Sequence, residues 1–206
     1  KQLYEGKITK LREKTQGQLI IKEYPTASAH SGHFKSLINE LALKKSFRPD
    51  VIFIDYLNIC ASSRFKGGNI SSYFYVKAIA EELRGLAVES NVPIFSATQT
   101  TRTGFVSTDI GLEDTSESFG LPATADFMFA LISNEELEAL GQMKIKQLKN
   151  RYNDPSVNRA FIVGVDRSKM RLYDVQQSSQ NIVDSNQVDE KEDAYNKFSD
   201  FKLWNT

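Results

Sequence analysis

The sequence predicts an α/β domain with a mostly parallel central sheet flanked by helices and a β-hairpin at the carboxyl-terminal side. The first observation is the unbroken apolar run at residues 51–54, which is typical of a parallel strand covered on both faces. The second is an apolar stripe at helical spacing over residues 76–87, followed by another apolar run at residues 92–95. The third is a pair of strand-like segments, residues 143–148 and 160–165, which predict the hairpin.

The other elements follow from apolar spacing. Helices are predicted at residues 3–16, 30–45 and 134–140, and strands at residues 19–21, 125–132 and 171–173. Residues 100–124 are long and polar, and a loop of that length is usually functional or disordered. His30 and His33 lie one turn apart, but without a third ligand we interpret them as a solvated pair rather than a metal site.

Composition limits the function classes. The chain has 206 residues, 40% hydrophobic and 25% charged, as expected for one globular domain. Cys60 is the single cysteine, which excludes a disulfide framework and a cysteine-based metal site and indicates a reducing, cytoplasmic compartment. No apolar stretch approaches the length of a membrane span, so we expect no membrane partner.

Charge divides the chain into two parts. The 26 basic and 26 acidic residues cancel, but residues 184–206 hold six Asp or Glu against three Lys, which leaves 23 basic and 20 acidic residues, or +3, before them. We therefore expect one domain over residues 1–175 and a flexible, acidic, aromatic-bearing tail over residues 176–206. This charge neither indicates nor excludes nucleic-acid binding.

Polar side chains follow both predicted parallel strands. Asp55 directly follows residues 51–54, and Gln99 follows the next apolar run. Ligands of open α/β sheets bind at the carboxyl ends of the strands, where a carboxylate can hold Mg²⁺ and an amide can contact a phosphate. The alternatives are a cap on the next segment for Asp55 and an ordinary polar strand end for Gln99.

Two cations mark the predicted hairpin. Lys149 and Arg151 lie two residues apart, so strand periodicity points them the same way. On the residues alone, a solvated hairpin tip is the simpler interpretation.

These segments together resemble a known family. The motifs Ile-Asp-Tyr-Leu-Asn at 54–58, Ser-Ala-Thr-Gln at 96–99 and Lys-Asn-Arg at 149–151 resemble, in order and spacing, the Walker B strand, third motif and Lys-x-Arg finger of DnaB-type hexameric replicative helicases. The longer phrases at residues 80–87, 112–126 and 147–152 are similar, more narrowly, to the replicative helicase of T-even-type bacteriophages.

The resemblance covers roughly residues 1–175 and implies a RecA-like P-loop NTPase domain. It implies an ATP-dependent DNA helicase, encoded by a phage, that forms a homo-hexameric ring, translocates on single-stranded DNA and unwinds duplex DNA at the replication fork. ATP and Mg²⁺ are the implied cofactors. Primase, a helicase loader or other replisome proteins are the implied partners.

The resemblance also implies roles for single residues. Asp55 would coordinate Mg²⁺ through water, Gln99 would sense the γ-phosphate, and Lys149 and Arg151 would reach the ATP site of the next subunit. The residues implied to line the channel and hold DNA are Arg102, Ser116, Glu117 and Phe119. For Ser116 and Phe119, packing is an equally good interpretation.

The sequence lacks two features of the family. No Gly-x-x-x-x-Gly-Lys-Ser/Thr phosphate loop occurs, and the acidic residue that follows it in the family is also missing. We therefore expect a carboxyl-terminal fragment that is inactive alone. A RecA-type recombinase and a non-catalytic partner-binding module on a RecA-like fold remain the alternatives. The aromatic residues of the tail could dock on a basic replisome partner, so deletion of residues 196–206 should weaken partner binding without changing ATP turnover.

Overall fold

A computed structural model describes residues 2–14, 17–65, 70–100, 110–112, 120–154 and 157–175. The helices are α1 (Gln2–Lys14), α2 (Ser31–Lys45), α3 (Ser72–Ser90), α4 (Gly120–Thr124) and α5 (Glu135–Ala139). The strands are β1 (Ile52–Ile54), β2 (Ile94–Ser96), β3 (Phe127–Ile132), β4 (Gln142–Asn150), β5 (Ala160–Asp166) and β6 (Arg171–Asp174). Single 3₁₀ turns lie at Leu57–Ile59 and Arg167–Lys169.

The first sheet is the predicted parallel pair. β1 and β2 run parallel in a register that pairs Ile52 with Ile94 and Ile54 with Ser96. Helix α3 connects them, as a parallel crossover requires. The helix ends at Asn91, whose left-handed backbone (φ 52°) lets its N–H reach the carbonyls of the last turn.

One face of this pair is covered by the apolar stripe of α3. The buried residues of this core are Leu57, Cys60, Val76, Ile79, Ala80, Leu83 and Leu121. Phe34, Ile54 and Tyr75 pack against them. The stripe predicted over residues 76–87 is therefore confirmed as the side of α3 that faces the sheet.

The prediction that β1 is covered on both faces is wrong for the described part of the chain. Phe53 is 72% exposed and Phe95 is 46% exposed, and their rings stack with centroids 5.3 Å apart. Side chains alternate between the faces of a strand, and α3 covers the face to which Ile54 belongs. Phe53 therefore lies on the opposite face of β1, which no described element covers.

The second sheet is antiparallel, with strand order β3-β4-β5-β6. It contains the predicted hairpin, β4 and β5, in which Ile145 pairs with Phe161. The register between β3 and β4 shifts at Met128/Phe129, so Met128 pairs with Lys149 and Phe129 with Gln147. The described strands thus include more antiparallel than parallel pairs, since each of β3 to β5 pairs with the next strand in the chain.

The strand predicted at residues 19–21 is not formed. Leu19 and Ile21 are 84% and 79% exposed, and the segment pairs with no described strand. A β-rich run needs a neighbouring strand to satisfy the hydrogen bonds of its backbone, and the described residues supply none there.

None of the helices in the described ranges has both the length and the apolar character of a transmembrane span.

Candidate functional site

The carboxyl ends of β1 and β2 lie side by side, as predicted. The hydroxyl of Ser96 donates to the carbonyl of Ile54 at 2.8 Å, and the N–H of Leu57 donates to the carbonyl of Ala97 at 3.1 Å. Beyond the strands, the chain segments that carry Asp55 and Gln99 therefore remain joined.

Asp55 and Gln99 belong to this one strand end. The Gln99 amide Nε2 donates to the hydroxyl of Tyr56 at 3.3 Å, and the Thr98 hydroxyl donates to Asn58 Oδ1 at 2.8 Å. Both Asp55 and Gln99 are exposed. The structure thus presents a carboxylate and an amide together at the crevice where an α/β sheet binds ligands.

The donor set fits part of a Mg²⁺ and nucleotide site. Mg²⁺ keeps several waters and takes one or two carboxylates together with phosphate oxygens, so the exposed Asp55 suits a water-mediated contact. Among the described residues, no group of three or more His, Cys, Asp or Glu could hold a metal ion. The sequence also lacks the phosphate-cradling loop. Asp55 and Gln99 therefore fit one side of such a site.

Lys149 and Arg151 lie together at the end of the second sheet, and both bind backbone carbonyls, unlike the solvated hairpin tip that the residues alone favour. Lys149 Nζ donates to the carbonyl of Pro122 and lies 3.5 Å from that of Ala123. Arg151 Nη2 donates to the carbonyl of Ala123 at 2.7 Å. Both cations therefore bind carbonyls in the last turn of α4, which have no partner within so short a helix.

Asp126, to which the sequence reasoning gave no role, joins this cluster. Its Oδ1 lies 2.7 Å from Arg84 Nη1 and 3.4 Å from Arg151 Nη1. Arg84 also donates to the carbonyl of Thr124 at 2.6 Å. No local pattern could have found this group, because Arg84 and Asp126 lie 42 residues apart and meet only when α3 packs beside α4.

Among the residues that the structure describes, the cluster carries more positive than negative charge. Three cations, Lys149, Arg151 and Arg84, lie around the carboxylate of Asp126. Burial lowers the pKa of Lys149, and repulsion from Arg151 and Arg84 adds to that effect, while Asp126 opposes it. Such a group of cations favours an approaching anion such as phosphate.

Glu82 is a second residue that the sequence reasoning missed. Its carboxylate accepts hydrogen bonds from the hydroxyls of Ser31 (3.0 Å), Ser62 (2.6 Å) and Ser63 (2.7 Å) and from the backbone N–H of Ser63 (2.9 Å). Burial raises the pKa of Glu82, but these hydrogen bonds outweigh burial and lower it to about 2. Glu82 therefore ties the loop after β1 and the start of α2 to α3.

The two histidines cap a helix. His30 Nδ1 accepts from the N–H of Gly32 at 3.0 Å, and His33 Nδ1 accepts from the N–H of His30 at 3.2 Å. This reciprocal arrangement caps the amino end of α2. The Nδ1 atoms of both rings are therefore occupied by hydrogen bonds to backbone N–H groups at the start of α2.

The four residues predicted to contact DNA, Arg102, Ser116, Glu117 and Phe119, lie outside the described residues. So does the tail from residue 176 onward. The site residues that the structure describes thus fall into two pairs. Asp55 and Gln99 share the end of the parallel strands, and Lys149 and Arg151 share the end of β4.

The sequence matches a DnaB-like replicative helicase of Enterobacteria phage T4 with 44% identity over 200 residues. The match covers 94% of this chain and 42% of the relative, so the chain spans less than half the length of that protein. No protein-family model matches the sequence.

Two solved structures share the fold. One, described as an ATPase domain, superposes with a TM-score of 0.60 at 17% identity, covering 72% of this chain and 52% of the other. A DnaB-like replicative helicase, described with its interactions with primase, gives a TM-score of 0.60 at 16% identity, covering 74% of this chain and 37% of the other. The chain is therefore similar in sequence to part of a DnaB-like replicative helicase and shares the RecA-like fold of helicase ATPase domains.

Proposed function

We propose that the protein containing this chain is an ATP-dependent replicative DNA helicase that translocates on single-stranded DNA and unwinds duplex DNA at the replication fork. The observation that carries the proposal is the 44% identity to a DnaB-like replicative helicase over 94% of the chain. This identity favours a helicase over a recombinase or a non-catalytic module. Because the match spans 42% of that relative, the proposal concerns the whole protein.

The end of the parallel strands supports the nucleotide part of the proposal. Asp55 would hold Mg²⁺ through water, and Gln99 would contact the γ-phosphate from the end of the adjacent strand. Bound ATP would supply the phosphoryl group whose transfer to water drives movement. Because phosphoryl transfer needs positioning and charge more than covalent help from the protein, an exposed carboxylate and a neighbouring amide suit these roles.

The hairpin supports action between subunits. Lys149 and Arg151 lie at the end of β4 in a cluster with excess positive charge, where they can meet the nucleotide of a neighbouring subunit in a homo-hexameric ring. Such cations stabilise the charge that develops during phosphoryl transfer. They also make hydrolysis in one subunit depend on the position of the next.

The DNA and partner assignments are part of the same proposal. Arg102, Ser116, Glu117 and Phe119 contact single-stranded DNA, and Phe119 directly precedes α4 in the sequence. Primase is the first partner to test, because a DnaB-like helicase of the same fold has been described with its interactions with primase. A helicase loader and other replisome proteins are further candidates for the tail at residues 176–206.

The experiment mixes Arg151→Ala protein into wild-type full-length protein at increasing ratios and measures DNA-stimulated ATP hydrolysis. If Arg151 acts on the next subunit, each mutant subunit disables the ATP site of its neighbour. Activity should then fall more steeply than the mutant fraction rises, because several subunits of a ring must act in turn.

Arg167→Ala is the matched control. Arg167 directly follows β5 of the same sheet, its side chain is 76% exposed, and it makes a 3.4 Å ion pair with Glu138. This variant should leave the activity of every mixture unchanged. A strictly proportional loss with Arg151→Ala, or hydrolysis that DNA does not stimulate, would contradict the proposal.

A further inference from the structure

The hairpin cations are engaged within their own subunit. Lys149 donates to the carbonyl of Pro122, and Arg151 donates to the carbonyl of Ala123 at 2.7 Å and contacts Asp126 at 3.4 Å. A side chain held in this way cannot also place the same N–H groups on a phosphate in another subunit. To present their full set of N–H donors there, both cations must first leave α4.

The acceptor that holds Arg151 is itself fixed. Arg84, on the long helix α3, pairs with Asp126 Oδ1 at 2.7 Å and with the carbonyl of Thr124 at 2.6 Å. The backbone carbonyl of Asp126 accepts the N–H of Arg151 at 3.0 Å. Asp126 is therefore attached on one side to the helix that packs on the parallel sheet and on the other to the end of β4.

We infer that Asp126 and the carbonyls of Pro122 and Ala123 form a dock that holds Lys149 and Arg151 in their own subunit until the neighbouring subunit binds nucleotide. Single-stranded DNA promotes the same release, since Phe119 of the segment proposed to contact DNA directly precedes α4 in the sequence. The inference rests on the proposed function, since it requires the cations to act between subunits. Asp126 is then a positioning residue, and the strength of its contact with Arg151 sets how readily the cations are released.

The dock is suited to release. Its contacts are partly exposed, with 46% of the Arg151 side chain and 35% of the Asp126 side chain accessible, so each is weak enough to exchange. The three cations around one carboxylate also repel one another, and an incoming phosphate relieves that repulsion. Departure of the cations leaves the last carbonyls of α4 without these donors.

The first test needs no catalysis. Thermal unfolding of nucleotide-free full-length protein is measured for Asp126→Asn, Arg151→Met and the double variant. If the two side chains interact, the double variant loses less stability than the sum of the single variants. With the β,γ-imido analogue of ATP bound, the cations have left the dock, and the losses become additive.

The second test measures ATP turnover of the full-length protein with and without single-stranded DNA. In Asp126→Asn the cations leave more readily, so turnover without DNA should rise by about two- to five-fold, the range that a partly exposed ion pair allows. Turnover with DNA should stay near wild type, so the stimulation ratio falls. Asp126→Glu retains the charge and should restore most of the ratio.

A purely structural role for Asp126 predicts a different pattern. Turnover would fall by the same factor with and without DNA, and the unfolding losses would show the same coupling with and without the analogue. Either result would overturn the dock. Asp174→Asn, an exposed carboxylate at the end of β6, is the matched control and should change neither measurement.

Failure of the proposed function gives a separate result. In that case the mixing experiment with Arg151→Ala shows a proportional loss of activity. If the mixing experiment shows the steep loss but Asp126→Asn leaves the stimulation ratio unchanged, the helicase proposal stands and the dock alone is rejected.

Discussion

The end of the parallel strands and the end of β4 both present polar side chains, but they hold them differently. Asp55 and Gln99 are exposed, and hydrogen bonds join the segments that carry them. Lys149 and Arg151 instead donate to carbonyls of α4. The first site can accept a ligand with little loss of contacts, whereas the cations must give up their present partners before all of their N–H groups can bind one.

The largest effect that this comparison predicts is at Asp55. Asp55→Asn in the full-length protein keeps the size of the side chain but removes the charge that is proposed to hold Mg²⁺. ATP turnover should fall at least about 100-fold, as for other losses of a preorganised charge at a phosphoryl-transfer site.

Asp50→Asn is the control, because Asp50 is also exposed but precedes β1 at its opposite end. Its turnover should stay within about two-fold of wild type, as expected for a surface change away from a site. Equal losses in the two variants would show that the strand end has no special role.

The next effect concerns the loop that follows β1. Glu82→Gln removes the charge that accepts the hydrogen bonds of Ser31, Ser62 and Ser63 and should lower the free energy of unfolding by about 1–3 kcal/mol. Glu81→Gln, at the adjacent position on α3, breaks an exposed pair with Arg64 (2.5 Å) and should cost less than about 1 kcal/mol. Urea denaturation measures both values, and equal values would contradict the structure.

The pH dependence of the same two variants sharpens the test. The pKa of Glu82 is about 2 in the folded protein against the usual 4.5, so its carboxylate binds fewer protons when folded than when unfolded. Its contribution to stability is complete above pH 4.5 and is lost as the pH falls towards about 2. Stability should therefore fall less between these pH values in Glu82→Gln than in wild type or Glu81→Gln.

The smallest predicted effect is the loss of stability in Asp126→Asn, which should depend on salt concentration. Asp126→Asn removes partly exposed ion pairs with Arg84 and Arg151. We expect a loss of about 0.2–1 kcal/mol at low ionic strength, and a smaller loss at about 1 M NaCl, where charges are screened within about 3 Å. Urea denaturation at both salt concentrations measures this change. A loss of stability that salt does not reduce would mean that packing or hydrogen bonding of Asp126, rather than its charge, stabilises the fold.

Local pattern predicted most of the fold. The apolar stripe of α3, the strand ends at Asp55 and Gln99 and the β4–β5 hairpin all follow from periodicity, because the spacing of side chains in a helix or strand is fixed by the backbone. The same reasoning was wrong at residues 19–21 and at the uncovered face of Phe53. A strand needs a partner, and whether an apolar face is covered depends on elements elsewhere in the chain.

The order of the elements, the resemblance to replicative helicases and the four candidate site residues that the structure describes could all be read from the sequence alone. The partners of those residues could not, because they depend on the packing of the folded chain. Arg84 and Asp126 meet across 42 residues, and Ser31 and Glu82 meet across 51. Packing of helices against sheets brings together residues whose separation in the sequence carries no periodic signal.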